Sequence, residues 1–155
     1  MAAKKQLTLC LVHQHPKILL GMKKRGFGAG RYNGFGGKVE EGETVDEAAK
    51  RELKEESGIS VDNLERAGIL DFSWEGKDGI LEVHIFKATE FKGVPEESEE
   101  MAPEWFDVSD IPFGTMWPDD KYWMPLFLAG KKFSGNFHFG EGDAIIEYNL
   151  NEINN

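Results

Sequence analysis

Residues 37–59, GKVEEGETVDEAAKRELKEESGI, decide how the rest of the chain is read. Their second half predicts a helix, with Thr44 as N-cap, Glu47 completing a T-x-x-E capping box, and Gly58 placed to stop it after Ser57. No Pro or Gly interrupts between those ends. At about 100° per residue, Val45, Ala48, Ala49 and Leu53 fall on one broad face, the face such a helix buries. Glu52, Glu55 and Glu56 project from the last two turns on nearly the same side, although Glu47, Lys50 and Lys54 already supply a solvated face. Glu52 makes like-charge pairs with Glu55 and with Glu56, each unfavourable by roughly 0.2–0.5 kcal/mol even when exposed and by more where water is excluded. A divalent cation reverses the sign of that interaction. Carboxylate oxygens suit Mg²⁺ or Mn²⁺, and Mg²⁺ characteristically shares its shell with substrate phosphates. Arg51, four residues from both Glu47 and Glu55, can hold the edge of the cluster.

Upstream, residues 6–12 and 17–22 read as strands joined around His13-Gln14-His15-Pro16, where both histidines are expected in solvent. Residues 23–38, KKRGFGAGRYNGFGGK, hold six glycines. The spacing fits neither a dinucleotide fingerprint nor a P-loop. Interleaved Phe27, Tyr32, Asn33 and Phe35 and flanking Lys23, Lys24, Arg25 and Arg31 make it a candidate nucleotide loop: glycines admit close backbone approach, aromatic rings offer faces to a base, and Asn can donate and accept at a purine edge. Downstream, residues 66–74 and 80–89 alternate around Gly76-Lys77-Asp78-Gly79 as a hairpin. Phe72 and Trp74 share one face, and Leu81, Val83 and Ile85 another. An acidic loop ends at Glu100 and Met101 before a short strand, 104–108. Pro118-Asp119-Asp120 suits a helix start, and the two acids beside Trp117, in a dry pocket, would be raised in pKa so that one donates and one accepts. Residues 132–139 and 144–150 form a closing hairpin.

The 155 residues suit one domain spanning 1–155. A net charge of −10 argues against a nucleic-acid polymer as partner, although one small nucleotide can be met through a metal. The single cysteine, Cys10, excludes an internal disulfide and reads as a small buried hydrophobe. No apolar run reaches membrane-spanning length, and MAAKKQ has no signal-like apolar core. A cytoplasmic monomer is expected.

Gly37, Glu43, Arg51-Glu52-Leu53, Glu55-Glu56 and Gly58-Ile59 match the signature of the Nudix hydrolases position for position. With the glycine loop, PEESEEM and MWPDD, essentially the whole chain resembles the MutT-homologue branch of that family, hydrolases of oxidised purine nucleoside triphosphates. The resemblance implies an α+β, alpha/beta/alpha sandwich, with a mixed sheet flanked by the helix above and by one in the C-terminal part. It implies Mg²⁺-dependent cleavage of nucleotides such as 8-oxo-dGTP and 2-hydroxy-dATP to monophosphate and pyrophosphate, cleansing the nucleotide pool. It puts Asn33, Trp117, Asp119 and Asp120 around the base, Phe27, Phe72 and Met101 on its faces, and Thr8 and Lys23 at the sugar and phosphate side. Phe35, Gly37, Lys38 and Leu81 join the substrate-binding set. Gly36, through its carbonyl, with Glu52, Glu55, Glu56 and Glu100, would surround the metal; Glu56 is the first candidate for an essential metal-holding or base role, and Arg51 completes the catalytic set. Tyr32 and Leu81 stand where mammalian members carry Trp and Met. Rival readings are a Nudix hydrolase of another nucleoside diphosphate derivative and a non-catalytic nucleotide sensor, which would have no need of a water-activating cluster.

Overall fold

The computed structural model describes residues 3–153. In chain order the elements are β1 (Lys4–Gln14), β2 (Lys17–Lys23), β3 (Tyr32–Asn33), α1 (Val45–Ser57), β4 (Glu65–Trp74), β5 (Ile80–Ala88), β6 (Met101–Asp107), α2 (Asp120–Leu128), β7 (Lys132–Phe139) and β8 (Ile145–Ile153). The strands form one mixed sheet in the order β3-β2-β1-β5-β4-β7-β8, with β6 paired to β2. β1 with β5 and β4 with β7 run parallel, and the other pairs are antiparallel.

Alternation along the strands gives each sheet face its own core. Cys10 and Val12 of β1 join Ala49 and Leu53 of α1, with Phe35, Ile59 and Phe86. Leu11 of β1 turns the other way, toward Trp123, Met124 and Phe127 of α2 and Phe133 and Phe137 of β7. Helices on opposite faces of a mixed sheet make the expected α+β sandwich, and Cys10 is fully buried as expected. Among the described residues no helix is long and apolar enough to cross a membrane.

Two local expectations change. β6 begins at Met101 rather than at 104 and runs through Pro103, which lies opposite Gly21; it is an edge strand, where a residue without an N–H is tolerated. His13 belongs to β1 rather than to the turn: its ring lies 6.3 Å from Phe127 and its Nε2 is buried, while His15 is exposed.

The opening that matters lies beside β1. β2 pairs with β1 only at residues 12–14 of that strand. Further along, the end of the glycine loop takes its place: Cys10 N–H donates to the Phe35 carbonyl at 2.6 Å and Thr8 N–H to the Gly37 carbonyl at 2.8 Å. The chain before α1 therefore runs along the same strand that floors the cavity described below.

Candidate active site

α1 is capped as its sequence predicts. The Thr44 side chain accepts from Glu47 N–H at 3.1 Å, Glu47 accepts from Thr44 N–H at 2.8 Å, and Gly58 ends the helix at φ 81°. These caps set which residues of the last two turns face the sheet. Glu56 does, at 4% exposure. Its Oε1 accepts the Gly36 N–H at 2.9 Å. Burial pushes its pKa up to about 7, against the opposing pull of that hydrogen bond and of Lys23. Glu52, half desolvated, is raised as well.

Arg51 holds the rim, with a different principal partner from the one its spacing suggests. Glu47 is occupied by the capping box, and Arg51 instead makes a two-pronged contact with Glu43, Nε to Oε2 at 2.9 Å and Nη2 to Oε1 at 2.8 Å. That pairing holds Glu43 down at about 2. Its remaining donors reach Glu52 at 2.8 Å, Glu55 at 3.2 Å and the Lys38 carbonyl at 3.1 Å. Glu55 is the exposed member. Glu100 lies across the cleft, accepting from Arg25 at 2.8 Å and Lys23 at 3.4 Å, and these bonds, Arg25 first, lower its pKa. Glu52, Glu55 and Glu100 thus accept from cations of the protein, and Glu56 from the Gly36 N–H.

The local chemistry suits a hard divalent cation. Phe35 and Gly37 direct their carbonyls at β1, so Gly36 between them faces α1, as its bond to Glu56 records. Among the described residues no donor reaches the Gly36 carbonyl. A Cβ at Gly37 would lie 2.7 Å from the Glu52 carboxyl carbon, and one at Gly36 would lie 1.8 Å from the Thr8 carbonyl oxygen. Gly36 is therefore required by close approach to the β1 backbone, and its free carbonyl oxygen is of the kind that Mg²⁺ takes.

From Glu56 a cavity of about 300 Å³ runs along β1 toward α2. It is lined by Thr8, Lys23, Gly36, Gly37 and Lys38, by Asn33, Phe72, Leu81 and Met101, and by Trp117 with the exposed Phe27 beside it. At the far end lie Asp119 and Asp120, exposed by only 3% and 2%. They begin α2 but do not cap it: Asp119 has helical backbone angles and makes no cap bond. Its Oδ2 accepts the Trp123 indole N–H at 2.8 Å, while Asp120 Oδ2 is buried without a partner. Burial raises both, and Asp120 more strongly because the Asp119 charge adds to it.

Two aromatic residues of the glycine loop do not reach the cavity. Phe35 lies opposite Cys10 in an antiparallel bridge, and such partners share a face, so its ring is fully buried in the α1-side core. Tyr32 packs edge-on against Phe106 at 5.0 Å and donates its hydroxyl to Glu104 at 3.0 Å. In their stead the cavity recruits Leu7, Leu9, Trp74, Val83 and Phe139. Trp74 was signalled by sharing a strand face with Phe72. Phe139 enters through the β4–β7 register, which sets it beside Trp74 and which no local pattern encodes.

The NUDIX domain family matches residues 4–127. The chain belongs to the Nudix family. It is a hydrolase of that family, whose members generally need a divalent cation. It is 55% identical to the oxidized purine nucleoside triphosphate hydrolase of Mus musculus over 153 residues, covering 99% of this chain and 98% of that one. Identity to the protein of the same description from Danio rerio is 53% at the same coverage. The fold superposes on the crystal structure of a mutator MutT protein from Bacillus halodurans with a TM-score of 0.85 and 33% identity, covering 95% of this chain and 97% of that one.

Proposed function

We propose that this chain hydrolyses oxidised purine nucleoside triphosphates, 8-oxo-dGTP and 2-hydroxy-dATP among them, to the nucleoside monophosphate and pyrophosphate, with Mg²⁺ as its cation and Mn²⁺ as a substitute. The observation that carries the reading is the pair Asp119 and Asp120, buried at one end of an aromatic-walled cavity whose other end opens at Glu56. The mouse and zebrafish relatives are named for the same substrate class.

Oxidation of guanine adds one oxo group and one N–H, so selection depends on hydrogen bonds in a place where an unpaired group is costly. Asp120 as the protonated partner donates, and Asp119 as the ionised one accepts. Shifting that proton would present a different donor pattern and admit 2-hydroxyadenine. Asn33 adds an amide at the base edge, and Phe72, Met101 and Trp117 supply apolar faces. Thr8 stands at the sugar, and Lys23 balances charge on the phosphates.

The Gly36 carbonyl with Glu52, Glu55, Glu56 and Glu100 would hold Mg²⁺, which when bound neutralises the triphosphate and polarises the attacked phosphorus. Glu56, with a pKa near neutrality, is suited to take a proton from the incoming water. Arg51 keeps Glu52 and Glu55 at the rim. Water adds to the triphosphate chain, pyrophosphate leaves, and the monophosphate remains. A cytoplasmic monomer, with a nuclear or mitochondrial share by family analogy, completes the reading. Its role would be to keep damaged precursors out of DNA.

Pyrophosphate release from 8-oxo-dGTP and dGTP, with and without Mg²⁺, is the test. Metal-dependent turnover with strong preference for the oxidised nucleotide is expected. Equal turnover of the two would refute the base assignment while leaving the phosphate chemistry standing.

A further inference from the structure

The mouth of the cavity carries a group of aromatic rings anchored on a residue in an unfavourable backbone conformation. Asp143 has φ 62°, the one non-glycine residue with positive φ among the described residues. It closes the turn between β7 and β8 immediately after Gly142, in a region that Asp visits at a cost and most residues avoid. Such conformations persist where the surroundings over-determine them, and here the surroundings are two directed bonds. Asp143 Oδ1 accepts the Trp74 indole N–H at 3.0 Å, from the end of β4. Its Oδ2 accepts an Arg31 Nη1–H at 3.1 Å, from the end of the glycine loop. One carboxylate thus ties together three segments far apart in the chain.

Both partners act on the pocket wall. The Arg31 guanidinium carbon lies 4.1 Å from the centre of the Trp117 ring. Trp117 lines the cavity and Arg31 does not, so the cation backs the indole instead of occupying the place of a base. Trp74 meets Trp117 edge to face at 6.2 Å, and Phe27, the exposed ring at the mouth, packs on both, at 5.7 and 5.1 Å. A cation on the face of an indole fixes the plane of the ring, and a stacked purine reads that plane. The charge of Arg31 also acts on Asp119 and Asp120, opposing the effect of burial on each.

We propose that Asp143 is a positioning residue of the base pocket: by holding Arg31 against Trp117 and anchoring Trp74, it sets the orientation of the aromatic walls and with it the grip on the purine. This role rests on the substrate reading given above, and the experiment separates the two. The monophosphates 8-oxo-dGMP and dGMP are titrated into wild type, Asp143→Gly, Asp143→Asn and Arg31→Ala while tryptophan fluorescence is followed, and the thermal midpoint of each protein is measured alongside. Glycine removes the left-handed cost together with both bonds, so the midpoint should stay near that of wild type. Affinity for 8-oxo-dGMP should fall about tenfold, the scale of one cation–π contact with its orienting bond. Asn keeps one acceptor oxygen and tolerates the same backbone, so its affinity should fall between the two. Arg31→Ala leaves the turn intact and should lose about as much affinity as Asp143→Gly. Undiminished affinity in Asp143→Gly and Arg31→Ala would overturn the positioning role. A loss of affinity that tracks a fall in midpoint in both would overturn it too, because the ties would then be purely structural. A wild type that binds neither nucleotide would overturn the substrate reading itself, and the positioning role with it.

Discussion

Two groups of carboxylates, one around Arg51 of α1 and one at the start of α2, are held in opposite ways. Glu43, just before α1, and Glu52 and Glu55 within it share the guanidinium of Arg51 at 2.8 to 3.2 Å, at a rim that water reaches. At the start of α2, Asp119 and Asp120 are buried; Asp119 accepts from the Trp123 indole, and Asp120 Oδ2 has no partner. A carboxylate beside a guanidinium stays ionised and can be handed to another cation. A dry one such as Asp120, where burial outweighs the charge of Arg31, holds its proton more tightly and can donate a hydrogen bond. Glu56 stands between these cases, on the wet helix but buried, with a pKa of about 7. The same functional group therefore serves metal, water or base according to what surrounds it.

The sharpest break in this comparison is Glu56→Gln. Gln keeps the shape, and its side-chain oxygen can still accept from Gly36 N–H, but it neither takes a proton from water nor brings a negative charge to a cation. The kcat/KM for 8-oxo-dGTP should fall about 10³-fold. Steady-state pyrophosphate release measures it, and a fall of less than tenfold would pass the leading role to Glu52, Glu55 or Glu100.

Next in size is a pH effect on the metal-free protein. Glu56 keeps its proton up to about pH 7 in the native state, against an ordinary value of 4.5, so between those limits the native state binds more protons than the unfolded one. Stability from this group is therefore full below about pH 4.5 and lost as pH rises to about 7, on the order of 3 kcal/mol. Asp119 and Asp120, also raised, act in the same direction. Urea denaturation in a chelator at several pH values should show the decline, shallower in Glu56→Gln, with Mg²⁺ restoring stability near neutrality. A flat profile would mean that Glu56 is better solvated than its burial indicates.

The smallest effect belongs to the dry end. Asp119→Asn and Asp120→Asn should change the ratio of activity on 8-oxo-dGTP to that on 2-hydroxy-dATP by about tenfold, in opposite senses if one proton is shared. Parallel assays of both substrates would settle it: equal losses with the ratio kept would discard the shared proton.

What depends on a few neighbouring residues is legible in the chain alone. Thr44, Glu47 and Gly58 bound α1, the spacing from Gly37 to Ile59 marks the family, and alternation marks the strands and the turns between them. The sequence also marks Asp119 and Asp120 as a notable pair, but not whether they cap a helix or face a pocket. It takes the folded chain to show that they are buried and make no cap bond, that Phe35 follows Cys10 into the core, that Arg51 takes Glu43 rather than Glu47, and that Phe139 stands beside Trp74. Each of these depends on strand register or on contacts between distant segments. Side chains alternate with period two, so a shift of one residue moves a ring from core to cavity, and nothing local in the chain records the shift.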